Sequence, residues 1–169
     1  MDKQKIWQQV KFYFDSNDGS LPEFRISNLK KNEIREIFKY LLELGDNVGD
    51  EQCVWFDQKY VKCNSFESSD KLFDALLAVS QHVLIKNITL ENTELPPVGV
   101  FILENEMELD YRMGEGWDLN SFFTLIELFK KIKSLAPSCS VSMPFDGEAP
   151  FQEKDIKKLN DILKKLTSV

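Results

Sequence analysis

A single histidine, His82, stands in the 169-residue chain. A Ser-His or Cys-His nucleophilic site would have to use it, and a multi-histidine metal centre within one chain is excluded. Cys53, Cys63 and Cys139 are odd in number, far apart and form no CxxC pair. They read as free, buried thiols. Neither GxxxxGKS/T nor GxGxxG occurs, so no glycine-rich phosphate cradle is expected. The side chains left to do chemistry are acids: Glu104, Glu106, Glu108 and Asp110 follow one another at a spacing of two.

Two chemistries suit such a row. Carboxylates can hold magnesium in nucleases and phosphoryl-transfer enzymes. Alternating side chains on a strand splay along it, however, and no Lys or His in the strand completes a general-base set. The second chemistry is recognition. From Met107 to Met113, the residues Met107, Leu109, Tyr111 and Met113 share one face, and Glu106, Glu108, Asp110 and Arg112 share the other. Successive acids then stand roughly 7 Å apart. Such a row draws in and orients a basic partner. A solvated face kept for solubility is the plainer alternative.

The placement of charge favours recognition. The formal net charge is −7. Residues 91–118 alone carry −7, from Glu91, Glu94, Glu104, Glu106, Glu108, Asp110, Glu115 and Asp118 against Arg112. The balance argues against a broad nucleic-acid surface, which needs a positive stripe. Gly114-Glu115-Gly116-Trp117 adjoins the row. Trp117 reads as an exposed interface anchor or as a hydrophobic staple under the following helix.

The elements that must position these residues follow from periodicity. Val10 to Phe14 reads as a first strand and Asn17-Asp18-Gly19-Ser20 as a turn. Phe24 and Ile26 mark a short second strand. Ile34, Ile37, Phe38, Leu41 and Leu42 lie on one helix face, with Asn32 as N-cap and Gly45 as stop. Cys53 to Phe56 reads as a strand after a polar turn at Asp46 to Glu51, and Ser69 to Val79 as a helix. Val83 to Leu90 reads as a strand with a bulge near Lys86-Asn87. Val98 to Leu103 is a central strand covered on both faces, joined by a Glu104-Asn105 turn to the acidic strand. Asp118 to Leu135 is a helix capped by Asp118, Ser140 to Met143 a strand, and Gln152 to Leu166 a helix with a lysine-rich outer face. Pro144, Gly147 and Pro150 punctuate a loop before that last helix.

One domain spanning residues 1–169 is expected, since domains commonly run about 100–200 residues. Its class is α+β: a largely antiparallel central sheet of about five to six strands flanked by about four helices. The chain has no apolar run long enough to span a bilayer and no leader pattern at its start, so a cytoplasmic protein with no membrane partner is expected.

The run Leu109-Asp110-Tyr111-Arg112-Met113-Gly114, then Trp117, then the amphipathic helix ending at Leu135-Ala136-Pro137, resembles the strand–turn–Trp–helix pattern of immunity proteins. These are paired with bacterial polymorphic toxins, including those of contact-dependent growth inhibition. The resemblance covers about 30 residues. It implies a non-enzymatic, acidic, cytoplasmic protein without cofactor or metal that binds one cognate toxin domain, in some cases a basic nuclease. On this reading Glu104, Glu106, Glu108, Asp110, Glu115 and Asp118 face the toxin and Trp117 anchors it. The alternatives are a small enzyme with a carboxylate metal site and an adaptor for another cellular protein.

Overall fold

Six strands form one antiparallel sheet in the order β10-β1-β9-β8-β5-β2. In chain order the elements are helices α1 (Lys3–Val10) and α2 (Phe12–Asp15), strand β1 (Glu23–Ser27), helix α3 (Lys31–Leu44), strands β2 (Asp46–Asn47), β3 (Cys53–Phe56) and β4 (Lys59–Lys62), and helix α4 (Ser69–Val79). There follow strands β5 (His82–Lys86), β6 (Thr89–Leu90), β7 (Thr93–Glu94), β8 (Val98–Ile102) and β9 (Met107–Tyr111), helix α5 (Leu119–Leu135), strand β10 (Ser140–Ser142) and helix α6 (Glu153–Leu166). The computed structural model describes residues 2–15, 20–47, 53–79, 82–114, 116–145 and 151–168. Glu115, the turn expected at Asn17-Asp18-Gly19, residues 48–51 of the Asp46 to Glu51 turn, and loop residues Gly147 and Pro150 lie outside them.

The α+β class and the antiparallel sheet are as the alternation foretold. Phe24 and Ile26 of β1, Val83 and Ile85 of β5, Val98, Val100 and Ile102 of β8, and Met107, Leu109 and Tyr111 of β9 all point into one core. Cross-strand register keeps them on one face: Phe24 opposite Leu109, Leu109 opposite Val100, Val100 opposite Val83. Inward residues of α1, α3, α4, α5 and α6 join the same apolar cluster. The other face of the sheet carries the acids.

Several elements differ from expectation. Val10 to Phe14 is not a strand: α1 ends at Val10 and α2 follows. Trp7, Val10 and Phe14 sit at helical spacing and are buried. Phe14 packs on Trp117 and Phe122, at 4.8 and 5.5 Å between centroids. Packing there overrides the strand preference of clustered aromatics. The N-cap of α3 is Lys30 rather than Asn32, and its backbone N–H donates to Glu33 at 2.7 Å. The parity change after Lys86 is not a bulge within one strand. Asn87 adopts a left-handed φ of 57°, and β6 and β7 form their own hairpin beyond it. β8 is central: Val98, Val100 and Ile102 are buried on one face, and on the other Phe101 is half-buried and Gly99 lies beside the Asp110 carboxylate. Cys53 is exposed, whereas Cys63 and Cys139 are buried and burial pushes both of those thiols up.

Candidate functional site: an acidic sheet face built around Arg25

β9 is flanked by β1 on one side and β8 on the other, so its acids line the middle of a sheet rather than an edge. Register sets Arg25 opposite Glu108 and Glu23 opposite Asp110. The Arg25 guanidinium reaches Glu108 at 2.8 Å, Glu23 at 3.0 Å and Glu106 at 3.8 Å. One cation thus gathers three carboxylates from two strands, with Asp110 as a fourth acid beside them. Their flanking strands shade them: the side chains of Glu106 and Glu108 keep only 26% and 16% of their surface. The row is therefore a half-buried, partly paired cluster rather than a solvated face. Among the described residues, the ion pairs of Glu106 and Glu108 run to Arg25 rather than to a lysine of α6.

The surroundings tune these groups. Burial raises the Glu23 carboxyl above the ordinary glutamate range, and repulsion from Glu108 adds to it; Arg25 pulls the other way without cancelling them. Burial opposes the charge on Arg25, yet the Glu108 hydrogen bond and the surrounding acids hold the guanidinium above its usual value. On the β8 side Asp110 lies on Gly99, whose absent side chain leaves room for the carboxylate.

The remaining expected site residues fall in different places. Glu104 is exposed in the β8–β9 turn. Asp118 caps α5: its carboxylate accepts from Ser121 N–H at 2.8 Å and its own N–H donates to Ser121 Oγ at 2.7 Å. That capping role accounts for its presence without a partner. Trp117 is a correction: it is only 7% exposed, its ring centroid 4.8 Å from Phe14 and 5.2 Å from Tyr111. Its indole N–H donates to Arg112 O at 3.0 Å. The indole packs between α2 and β9 rather than standing exposed.

Arg25 and Glu23 are what sequence reasoning missed. Arg25 alternates with buried Phe24 and Ile26, so its place on the polar face was readable, but its pairing with β9 joins residues 83 apart in sequence. Among the described residues, no three His, Cys, Asp or Glu side chains gather to hold a metal ion, and no helix is long and apolar enough to cross a membrane. Comparison with protein-family models, curated proteins and solved structures returned no match.

Proposed function

We propose that the chain is a binding protein, not an enzyme, and that it docks a basic protein partner on the uncovered face of its sheet. The observation that carries the reading is the clustering on that face: among the described residues, the carboxylates of Glu23, Glu106 and Glu108 converge on one guanidinium, that of Arg25. The face is charged before any partner arrives and is fixed on strands rather than loops. A partner's lysines and arginines would find acids whose orientation is already set, which saves ordering entropy on association.

The resemblance noted over about 30 residues makes the partner a toxin domain and this chain its cytoplasmic immunity protein. Glu104, exposed at the end of the row, extends the charged surface. The row would take the place of the phosphates that a nuclease toxin binds, and so occupy its substrate surface. The test is to express the chain together with the polypeptide encoded by the adjacent gene. The reading expects protection of the cells and a stoichiometric complex on purification. A toxic neighbour against which this chain neither protects nor forms a complex would sink it.

A further inference from the structure

Leu21 and Phe145 are 60% and 52% exposed, a large apolar exposure for two side chains. β1 and β10 are antiparallel neighbours, with Arg25 opposite Ser142. The chain entering β1 and the chain leaving β10 therefore meet the sheet at the same end. Leu21 lies on the first, two residues before Glu23, and Phe145 on the second, three residues after Ser142. Both segments are fixed. Pro22 is buried, and its carbonyl accepts from Tyr111 N–H at 3.0 Å. Met143 is buried, and the Asn160 side chain holds its backbone N–H and carbonyl at 2.8 and 2.9 Å. Glu23 and Asp110, opposite each other, stand at this same end of the acidic face.

We infer that Leu21 and Phe145 are the apolar anchor of the docking surface, and that its occupant is a basic protein segment with an apolar side chain flanked by lysine or arginine. The inference rests on the acidic-face reading and names what that face recognises. Charge complementarity selects the basic flanks, and the place of Leu21, two residues before Glu23, selects the apolar residue between them. The two parts have separate duties. The acids speed and orient encounter, whereas a buried apolar anchor slows departure. This pair takes the part that the sequence suggested for Trp117.

The probe is a short lysine peptide with one central leucine, compared with the same peptide carrying serine there. Binding is followed at low salt by amide shifts in the NMR spectrum of the intact chain. Both peptides should perturb β1 and β9. The leucine peptide should bind at least about tenfold more tightly, the effect expected from burying one leucine side chain, with added shifts around Leu21 and Phe145. Leu21→Ser combined with Phe145→Ser should abolish that advantage while leaving the serine peptide's affinity unchanged; both positions are exposed, and the same spectrum reports the fold. Equal affinity of the two peptides, or an advantage that survives the double substitution, overturns the inference alone. An advantage that maps to the exposed aromatic pair Trp55 and Tyr60 of the β3–β4 hairpin also overturns it. If neither peptide perturbs β1 or β9, the acidic-face reading itself falls.

Discussion

The Asp110 carboxylate lies on the backbone of Gly99, its cross-strand neighbour, so closely that a Cβ at Gly99 would stand 2.6 Å from Asp110 Cγ. No real Cβ tolerates that contact. Gly99→Ala should push the Asp110 carboxylate out of its rotamer and destabilise the chain by about 1 kcal/mol, since the displaced group is the end of a side chain and not backbone. In an Asp110→Ala background the same substitution should cost much less, because the two positions act as one unit. Urea denaturation of the four variants measures the coupling, and additive losses would refute the contact.

Arg25 holds together a cluster that would otherwise repel itself. Arg25→Leu should destabilise by about 1–2 kcal/mol, a modest figure because water reaches all the partners. The loss should shrink as salt is added, since screening relieves the repulsion among Glu23, Glu106 and Glu108. Denaturation midpoints at low and high ionic strength provide the check. A loss independent of salt would mean that Arg25 contributes by packing its stem.

Two carboxylates should give opposite pH signatures. The Glu23 carboxyl is raised in the folded state, so the native state holds its proton more tightly than the unfolded chain. Its contribution is present below the ordinary glutamate range and is lost as pH rises through the raised value. Asp70 is lowered by hydrogen bonds from Arg35 and Lys39, so its contribution is present at neutral pH and is lost as pH falls. Relative to the parent chain, Glu23→Gln should gain stability on going from acid to neutral pH, and Asp70→Asn should lose it. Thermal midpoints across the acid range measure both slopes, and slopes of the same sign would contradict the assignment.

Trp117→Ala should cost about 3–5 kcal/mol, the range for deleting a large buried aromatic. Phe14 and Tyr111 each lose one of their ring partners, and the Arg112 carbonyl loses the indole N–H. This substitution tests the core and says nothing about docking. A loss below about 1 kcal/mol would show that the indole is not packed as described.

The residues explain why some of this was legible in the sequence and some was not. Met107, Leu109 and Tyr111 alternate with Glu108 and Asp110, and alternation in a strand is a local code for its two faces. That code gave the core face of β9 and the opposite placement of its acids. It is silent about neighbours. That β1 lies beside β9, and so delivers Arg25 to Glu108, depends on which strands pair, which is set by the whole core. The β3–β4 hairpin was half visible for a similar reason. Cys53 to Phe56 is apolar enough to read as a strand, but Lys59–Lys62 is largely polar because one face of the hairpin is exposed. Trp117 was misjudged because glycines around it suggest an open turn, while the pocket that receives it is built by Phe14, about a hundred residues earlier in the chain.

The most direct test of the account is the association rate with the proposed partner, a basic toxin domain, measured by stopped flow over a range of salt. The variant to compare combines Glu106→Gln, Glu108→Gln and Asp110→Asn. Neutralisation is preferable to reversal, because Glu108→Lys would set an ammonium against Arg25 in the middle of the sheet. If the acidic face steers docking, the variant should associate at least about tenfold more slowly at low ionic strength, and its rate should depend less on salt than that of the parent chain. A folded variant that associates at the parent rate, with the parent salt dependence, would contradict the account and move the docking surface elsewhere.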